Sequence, residues 1–320
     1  MANGLKVGVA LSGGGASGMA HTGVLEELIA AGIPIDCVAG TSAGAIVGAA
    51  WAANHLTEFR TTMCALTRRN VIALFVPTWP RTGLLDGKRP LDLIRPHIGD
   101  TIETLPRQFA AVATDLLTGR EVVLRRGNVA NAVRASAAIP GLLTPEWIDG
   151  RMLVDGGIVN PLPVDVARGL GAEFVIAVSV LDTFEAPVVE KPVESMQALA
   201  AQWFSSLFPG ELAKEAVSHD PAPKSRMPSL VDELGLIEIM ARATRIVQAR
   251  LAEERLRANP PDILIRIPRS RIGLFELDKS SEAILAGRNA AVAALPAIRE
   301  ALEKAASIQG RMTRMLKSRT

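Results

Sequence analysis

A serine with glycines two residues away on either side lies at Gly40 to Gly44, after an apolar run and before a run of small residues. When this G-x-S-x-G pattern joins a strand to a helix, the tight turn exposes the serine hydroxyl beside backbone N–H groups. The positive end of the following helix would favour the negative charge that develops when Ser42 attacks a carbonyl. We therefore predict Ser42 as a nucleophile supported by Gly40 and Gly44. The alternative is a small-residue turn that serves only helix–sheet packing.

A glycine-rich loop lies between the first predicted strand and the first predicted helix, at Gly13 to Gly18. Free backbone N–H groups in such a loop can converge on an anion. The spacing fits neither the P-loop nor the dinucleotide-binding fingerprint, so an oxyanion hole is the first interpretation and a phosphate cradle the second. The residues predicted to form the oxyanion hole are Gly13, Gly14, Gly15 and Ala16.

A serine hydroxyl needs a base to accept its proton, and the usual base is histidine. None of the 4 histidines in the sequence follows a predicted strand, and they are His21, His55, His97 and His219. Asp155 does follow one, and Gly156 and Gly157 let the backbone bend so that a short carboxylate reaches a neighbouring loop. We predict Asp155 as the base, in a partly dry site that strengthens it. The alternative is a turn aspartate that bonds its own backbone.

The segments around these residues alternate between apolar runs and helical patterns. Such alternation predicts a layered α/β protein, in which neighbouring parallel strands bring both glycine turns to the same edge of the sheet. The predicted strands are 7–11, 35–39, 108–113, 121–124, 174–180 and 262–267. The predicted helices include 43–53, 129–137, 162–170, about 229–258 and a last helix that Pro296 would kink.

A short hairpin is predicted to deliver Asp155 to the site. Asp149 and Gly150 stand between 146–148 and 151–154 and favour a type I′ turn. Farther along, prolines break the pattern over 183–228, which we interpret as an insertion or lid-like segment. The rest of residues 1–303 is predicted to form one domain, followed by a basic tail at 304–320.

Bulk composition argues against several function classes. A hydrophobic fraction of 48% suits a packed globule, and a net charge of +2 is too small to indicate a nucleic-acid surface. No stretch approaches the ~20 apolar residues of a membrane-spanning helix, and the first apolar run is too short for a signal peptide. We expect a cytoplasmic protein with at most peripheral contact with the inner membrane surface. We expect no metal and no cofactor.

Three motifs in this order resemble those of the bacterial patatin-like phospholipases. They are Gly13 to Gly18, Gly40 to Gly44, and Asp155 to Gly157. Linking segments are also similar, so that the resemblance covers about 1–182 and 229–303. It implies a three-layer α/β/α fold with a central, largely parallel sheet. It also implies a Ser42–Asp155 dyad, an oxyanion hole of glycine-loop amides, and a fatty acyl ester of a phospholipid as substrate.

One position departs from the family pattern. The family loop usually carries Arg or Lys before its last glycine, and this sequence has Ser17. Losing that cation could weaken anion stabilisation or reshape the loop, although the backbone donors remain. Two alternatives therefore stay open: a non-catalytic regulator that binds lipid or a partner, and an α/β-hydrolase with a Ser-Asp-His triad that would require His219.

Overall fold

The computed structural model describes residues 4–75, 85, 87–181, 236–268 and 272–317. The insertion predicted at 183–228 lies outside these residues, and so does His219.

A sheet of eight strands forms the centre of the described residues. The strands are β1 Val7–Leu11, β2 Cys37–Thr41, β3 Gln108–Asp115, β4 Glu121–Leu124, β5 Glu146–Ile148, β6 Arg151–Asp155, β7 Phe174–Ser179 and β8 Ile263–Arg266. Their order is β5-β6-β3-β2-β1-β7-β8, with β4 also paired to β3. The four pairs β3-β2, β2-β1, β1-β7 and β7-β8 are parallel. The pairs β3-β4, β3-β6 and β5-β6 are antiparallel. The prediction of a largely parallel sheet is confirmed.

Helices cover both faces of this sheet. They are α1 Ala20–Ala30, α2 Ala43–Ala52, α3 Leu56–Cys64, α4 Arg68–Leu74, α5 Lys88–Ile98, α6 Val129–Ser136, α7 Val164–Gly169, α8 Leu236–Ala258 and α9 Ser280–Lys317. Because successive strand residues point to opposite faces, Val9 and Leu11 join the core formed with α1, α2 and α9. Ala10 joins a second core on the other face, with α7 and α8. This arrangement is the expected three-layer α/β/α fold.

Some predicted boundaries differ from the structure. The second strand begins at Cys37 rather than at residue 35, because Asp36 exchanges hydrogen bonds with Val7 through its side chain and its amide before the ladder starts. The last helix contains Pro296 and continues to Lys317, so residue 303 lies inside it. The division into a domain and a tail stays a prediction. Within the described residues, no helix has the length and apolarity to cross a bilayer.

Candidate active site

Ser42 occupies the sharp turn between β2 and α2. Its backbone has φ 54° and ψ −120°, a region that non-glycine residues rarely adopt. The side chain of Ser136, buried at the end of α6, holds this turn in place. It accepts a hydrogen bond from the Ser42 amide at 2.8 Å and donates one to the Val112 carbonyl at 2.5 Å. The strained turn is therefore fixed by a neighbouring helix and the adjacent strand.

The two glycines of the serine motif are required by close backbone approach. A Cβ added to Gly40 would lie 2.3 Å from the Gly44 carbonyl oxygen, and one added to Gly44 would lie 2.4 Å from the Leu11 carbonyl oxygen. Because backbone atoms cannot move aside as flexible side chains do, these contacts exclude alanine. The two glycines thus let β1, β2 and α2 approach one another closely around Ser42.

Asp155 lies at the end of β6, where it pairs with Ala113 of β3. Since β3 is also the neighbour of β2, the hairpin brings this carboxyl to the loop that carries Ser42. The hairpin turn has φ 49° at Asp149 and 73° at Gly150, as expected for type I′. The structure therefore brings the predicted nucleophile and the predicted base together.

The Asp155 carboxyl is buried, with 1% of the residue exposed. Burial raises its pKa to about 6, and the Ser42 hydroxyl and the Gly157 amide oppose that rise. Oδ1 accepts a hydrogen bond from the Gly157 amide at 2.7 Å. The Ser42 hydroxyl lies near enough to lower the pKa without forming a bond of full geometry, and among the described residues Oδ2 has no partner. Contacts of this kind commonly tighten only when a substrate binds.

The glycine loop is positioned by backbone bonds that use some of its amides. Gly13 donates to the Pro161 carbonyl at 3.0 Å, and Ala16 donates to the Leu274 carbonyl at 2.9 Å. Among the residues that the structure describes, no group accepts from the amides of Gly14 and Gly15. Of the four residues predicted for an oxyanion hole, Gly14 and Gly15 are therefore the two whose amides have no acceptor among the described residues. The backbone of Gly13 lies beside Ser42, since a Cβ added to Gly13 would be 3.5 Å from the Ser42 Cβ.

The histidines in the described part of the chain play no role as a base for Ser42. His21 is buried and its Nε2 donates to the Ser12 carbonyl at 2.9 Å, while burial lowers its pKa to about 4. His97 shares a hydrogen bond with the Thr62 hydroxyl, and His55 lies directly before α3 as its N-cap residue. His21 thus helps to hold the strand end from which the glycine loop departs, a role the sequence did not reveal.

An apolar cavity of about 130 Å³ opens beside Ser42. Apolar side chains from several helices supply most of its wall, among them Met19, Ile46, Phe75, Leu91 and Ile94. Ser42 and Gly15 also line it, so the predicted nucleophile and a residue of the glycine loop border the same space. Arg134 and Thr144 also line it, and the Arg134 guanidinium donates a hydrogen bond to the Thr144 hydroxyl at 2.8 Å.

Comparisons with known proteins point to one family. The family model described as patatin-like phospholipase matches residues 9–168. NTE family proteins of Mycobacterium bovis and Mycobacterium tuberculosis are 36% identical to this chain over 95% of its length and 96% of theirs. The chain belongs to the patatin-like phospholipase family. The Drosophila melanogaster protein named neuropathy target esterase sws is 34% identical over 55% of this patatin-like chain and 13% of its own length.

Family membership confirms the resemblance drawn from the three motifs. It also rules out the α/β-hydrolase alternative, which would place several strands before the nucleophile, whereas Ser42 follows the second strand of this patatin-like fold.

Two buried polar residues of this patatin-like site escaped the sequence analysis. Ser136 lies in the predicted helix 129–137 and Gln248 in the helix predicted at about 229–258, and no motif marks either residue. Gln248 lies on α8, against the glycine loop and the turn after Asp155. The amphipathic pattern of a helix does not distinguish a buried amide at a functional site from a buried amide that only packs against the core. Only the tertiary contacts show that Gln248 belongs to the site.

Proposed function

We propose that this protein is a serine-dependent lipid acyl hydrolase that cleaves fatty acyl esters through Ser42 and Asp155. The observation that carries the proposal is the approach of the Ser42 hydroxyl, on its strained turn, to the buried Asp155 carboxyl beside an apolar cavity. Membership in a family of phospholipases supports the same chemistry, as does the similarity to a protein named an esterase.

Asp155 is suited to act as the base. A carboxyl with a pKa of about 6 is mostly ionised at neutral pH, yet it binds a proton more strongly than an exposed aspartate does. Asp155 accepts the hydroxyl proton while the Ser42 Oγ attacks the ester carbonyl. The proton then passes to the departing alcohol, which leaves an acyl group on Ser42. Water subsequently releases the fatty acid.

The tetrahedral intermediate carries a negative charge that needs donors already in position. We assign this role to the Gly14 and Gly15 amides, which donate no hydrogen bond to any described residue. The positive end of α2, which begins directly after Ser42, adds to the stabilisation. Losing one such donor costs ~10²–10³ in rate in comparable sites. The backbone therefore supplies anion stabilisation despite Ser17 in place of the family's usual cation.

The cavity beside Ser42 favours an acyl chain as the group that enters it. A wall of aliphatic and aromatic side chains gains free energy by taking apolar surface out of water. We propose a phospholipid or another fatty acyl ester as the substrate. The protein would meet it as a cytoplasmic enzyme in peripheral contact with the inner membrane surface, with residues 1–303 as the catalytic domain, 183–228 as an insertion and 304–320 as a basic tail.

A fluorophosphonate probe tests the nucleophile directly, because it labels only an activated serine. We expect stoichiometric labelling at Ser42, located by peptide mass spectrometry, and none in Ser42→Ala. Ser307→Ala, at an exposed serine of α9, is the matched control and should label like the wild type. Failure of the folded wild type to label would favour the competing proposal, a non-catalytic binder of lipid or of a partner.

A panel of acyl esters then tests the reaction. We expect hydrolysis by the wild type, and no hydrolysis by folded Ser42→Ala or Asp155→Asn. Full activity in purified Asp155→Asn would refute the dyad.

A further inference from the structure

Gln248 lies within the site although the steps above give it no role. Only 6% of the residue is exposed. A Cβ added to Gly157 would lie 2.2 Å from the Gln248 Nε2 and 2.9 Å from the Asp155 Oδ1. A Cβ added to Gly13 would lie 3.9 Å from the Gln248 Oε1 and 3.5 Å from the Ser42 Cβ. The amide therefore spans the space between the carboxyl and the glycine loop, with its carbonyl oxygen on the side of Ser42.

Two polar groups lie close together there without bonding to each other. The Gln248 side-chain amide makes no hydrogen bond with the residues that the structure describes, and the buried Asp155 Oδ2 has no partner among them either. A buried carboxylate oxygen without a partner is costly, so a native structure rarely keeps one without a use. Its closeness to Ser42 and to the Gln248 amide indicates that the use belongs to the reaction.

Helix α8 holds Gln248 in place through Arg255, two turns farther along. The Arg255 guanidinium donates to Asp165 at 3.1 Å and to Glu121 at 2.7 Å, and its Nε donates to the Val159 carbonyl at 3.1 Å. These partners lie on α7, on β4 and just after the Asp155 turn. A rigid helix fixed to the sheet in this way can keep an amide at one position in the site.

We propose, on the basis of the hydrolase function proposed above, that Gln248 positions the water that deacylates Ser42. The Gln248 Oε1 accepts one hydrogen of this water and the Asp155 carboxylate accepts the other, which leaves an oxygen lone pair free to attack the acyl carbon. As the new C–O bond forms, the proton moves to Asp155. When the tetrahedral intermediate collapses, the bond from the acyl carbon to the Ser42 Oγ breaks, and that proton returns to the Ser42 Oγ. The product is the free fatty acid.

This role predicts a specific kinetic signature in Gln248→Met, which keeps the side-chain length but has no strong acceptor. Acylation proceeds as before and deacylation slows, so an acyl-enzyme accumulates. With a p-nitrophenyl ester we expect kcat and KM to fall together by about tenfold while kcat/KM stays unchanged, since a lost hydrogen bond of about 1.4 kcal/mol is tenfold in rate. The pre-steady-state burst should approach one equivalent of p-nitrophenol, and intact mass spectrometry should show the acylated protein.

Added hydroxylamine separates a deacylation defect from a structural one. As a stronger nucleophile than water it should restore turnover in Gln248→Met, which a slow acylation step would not allow. Gln248→Glu keeps an acceptor oxygen at a similar distance, so it should retain more of the wild-type kcat than Gln248→Met. Val247→Ala, at an exposed neighbour on α8, is the matched control and should behave as the wild type in every assay.

Three results would overturn the water-positioning role. They are a parallel loss of kcat and kcat/KM without a burst, unchanged kinetics in Gln248→Met, and equal losses in the Met and Glu variants. Thermal unfolding of each variant reports whether it is folded, and Gln248→Glu carries the test if Gln248→Met does not fold. A wild type that gives neither a burst nor turnover would instead overturn the proposed hydrolase function, and the water site with it.

Discussion

Replacing Asp155 with asparagine should abolish ester hydrolysis and at the same time stabilise the folded protein at neutral pH. The folded state binds the Asp155 proton more tightly than the unfolded chain does, because burial raises the pKa from 3.8 to about 6. The stability that this group contributes is therefore fully present below pH about 4 and is lost as the pH rises through about 6. At 1.36 kcal/mol per pKa unit, the loss amounts to about 3 kcal/mol.

Asparagine has nearly the shape of aspartate, keeps an oxygen for the Gly157 amide, and does not ionise. The free energy of unfolding of Asp155→Asn should therefore exceed that of the wild type by a margin that grows between pH 4 and 6 and is constant above. Urea unfolding at closely spaced pH values measures this margin. Asp92→Asn removes an exposed carboxyl from α5 and serves as the matched control.

The same pKa should govern the activity of the wild type. If ionised Asp155 accepts the Ser42 proton, kcat/KM rises tenfold per pH unit at low pH and levels off above about 6. A stability difference that is independent of pH between 4 and 8 would refute the buried, proton-binding carboxyl. An acid limb of kcat/KM centred near 4 would refute its role as a base of raised pKa.

Three further predictions concern the residues around this pair. Ser136→Ala leaves the Ser42 amide and a strand carbonyl without their partner, so unfolding free energy should fall by about 1–3 kcal/mol and kcat by at least tenfold, as measured by urea unfolding and ester hydrolysis. Gly40→Ala should prevent folding because its Cβ meets a backbone oxygen at 2.3 Å, whereas Gly169→Ala, with nothing within 4 Å, should be tolerated in circular dichroism and thermal melts. Ile46→Trp fills part of the apolar cavity, so it should lower kcat/KM for long-chain p-nitrophenyl esters more than for the acetate. Leu117→Trp, at a side chain 72% exposed, should leave that chain-length profile unchanged.

The strands were predictable where burial on both faces made them short, continuous apolar runs. Val7–Leu11, which is buried at every position, has the predicted bounds. The less buried Glu121–Leu124 also has the predicted bounds, and the hairpin turn at Asp149 and Gly150 follows from local chemistry alone. The start of β2 was less predictable, because the hydrogen bonds of Asp36, directly before β2, are made with Val7 of β1, which is distant in sequence. No local pattern contains that information.

The proposed oxyanion donors show the same limit at the site. A glycine loop predicts free amides as a group, but Pro161 and Leu274, both distant in sequence, decide which amides are already occupied. Gln248 is a stronger example, since its place beside Gly157 depends on how α8 packs over the turn after Asp155, where Arg255 bonds to Val159.

The sequence by itself determined which residues are proposed as nucleophile and base, because a strained turn and a tight bend can be built only from particular residues in a particular local order. Tertiary structure alone decided how near they lie, how dry the carboxyl is, and which amides and side chains surround them. Those quantities depend on the packing of segments that are far apart along the chain. The pKa of Asp155 is an example, since burial by such segments raises it and the nearby Ser42 hydroxyl lowers it.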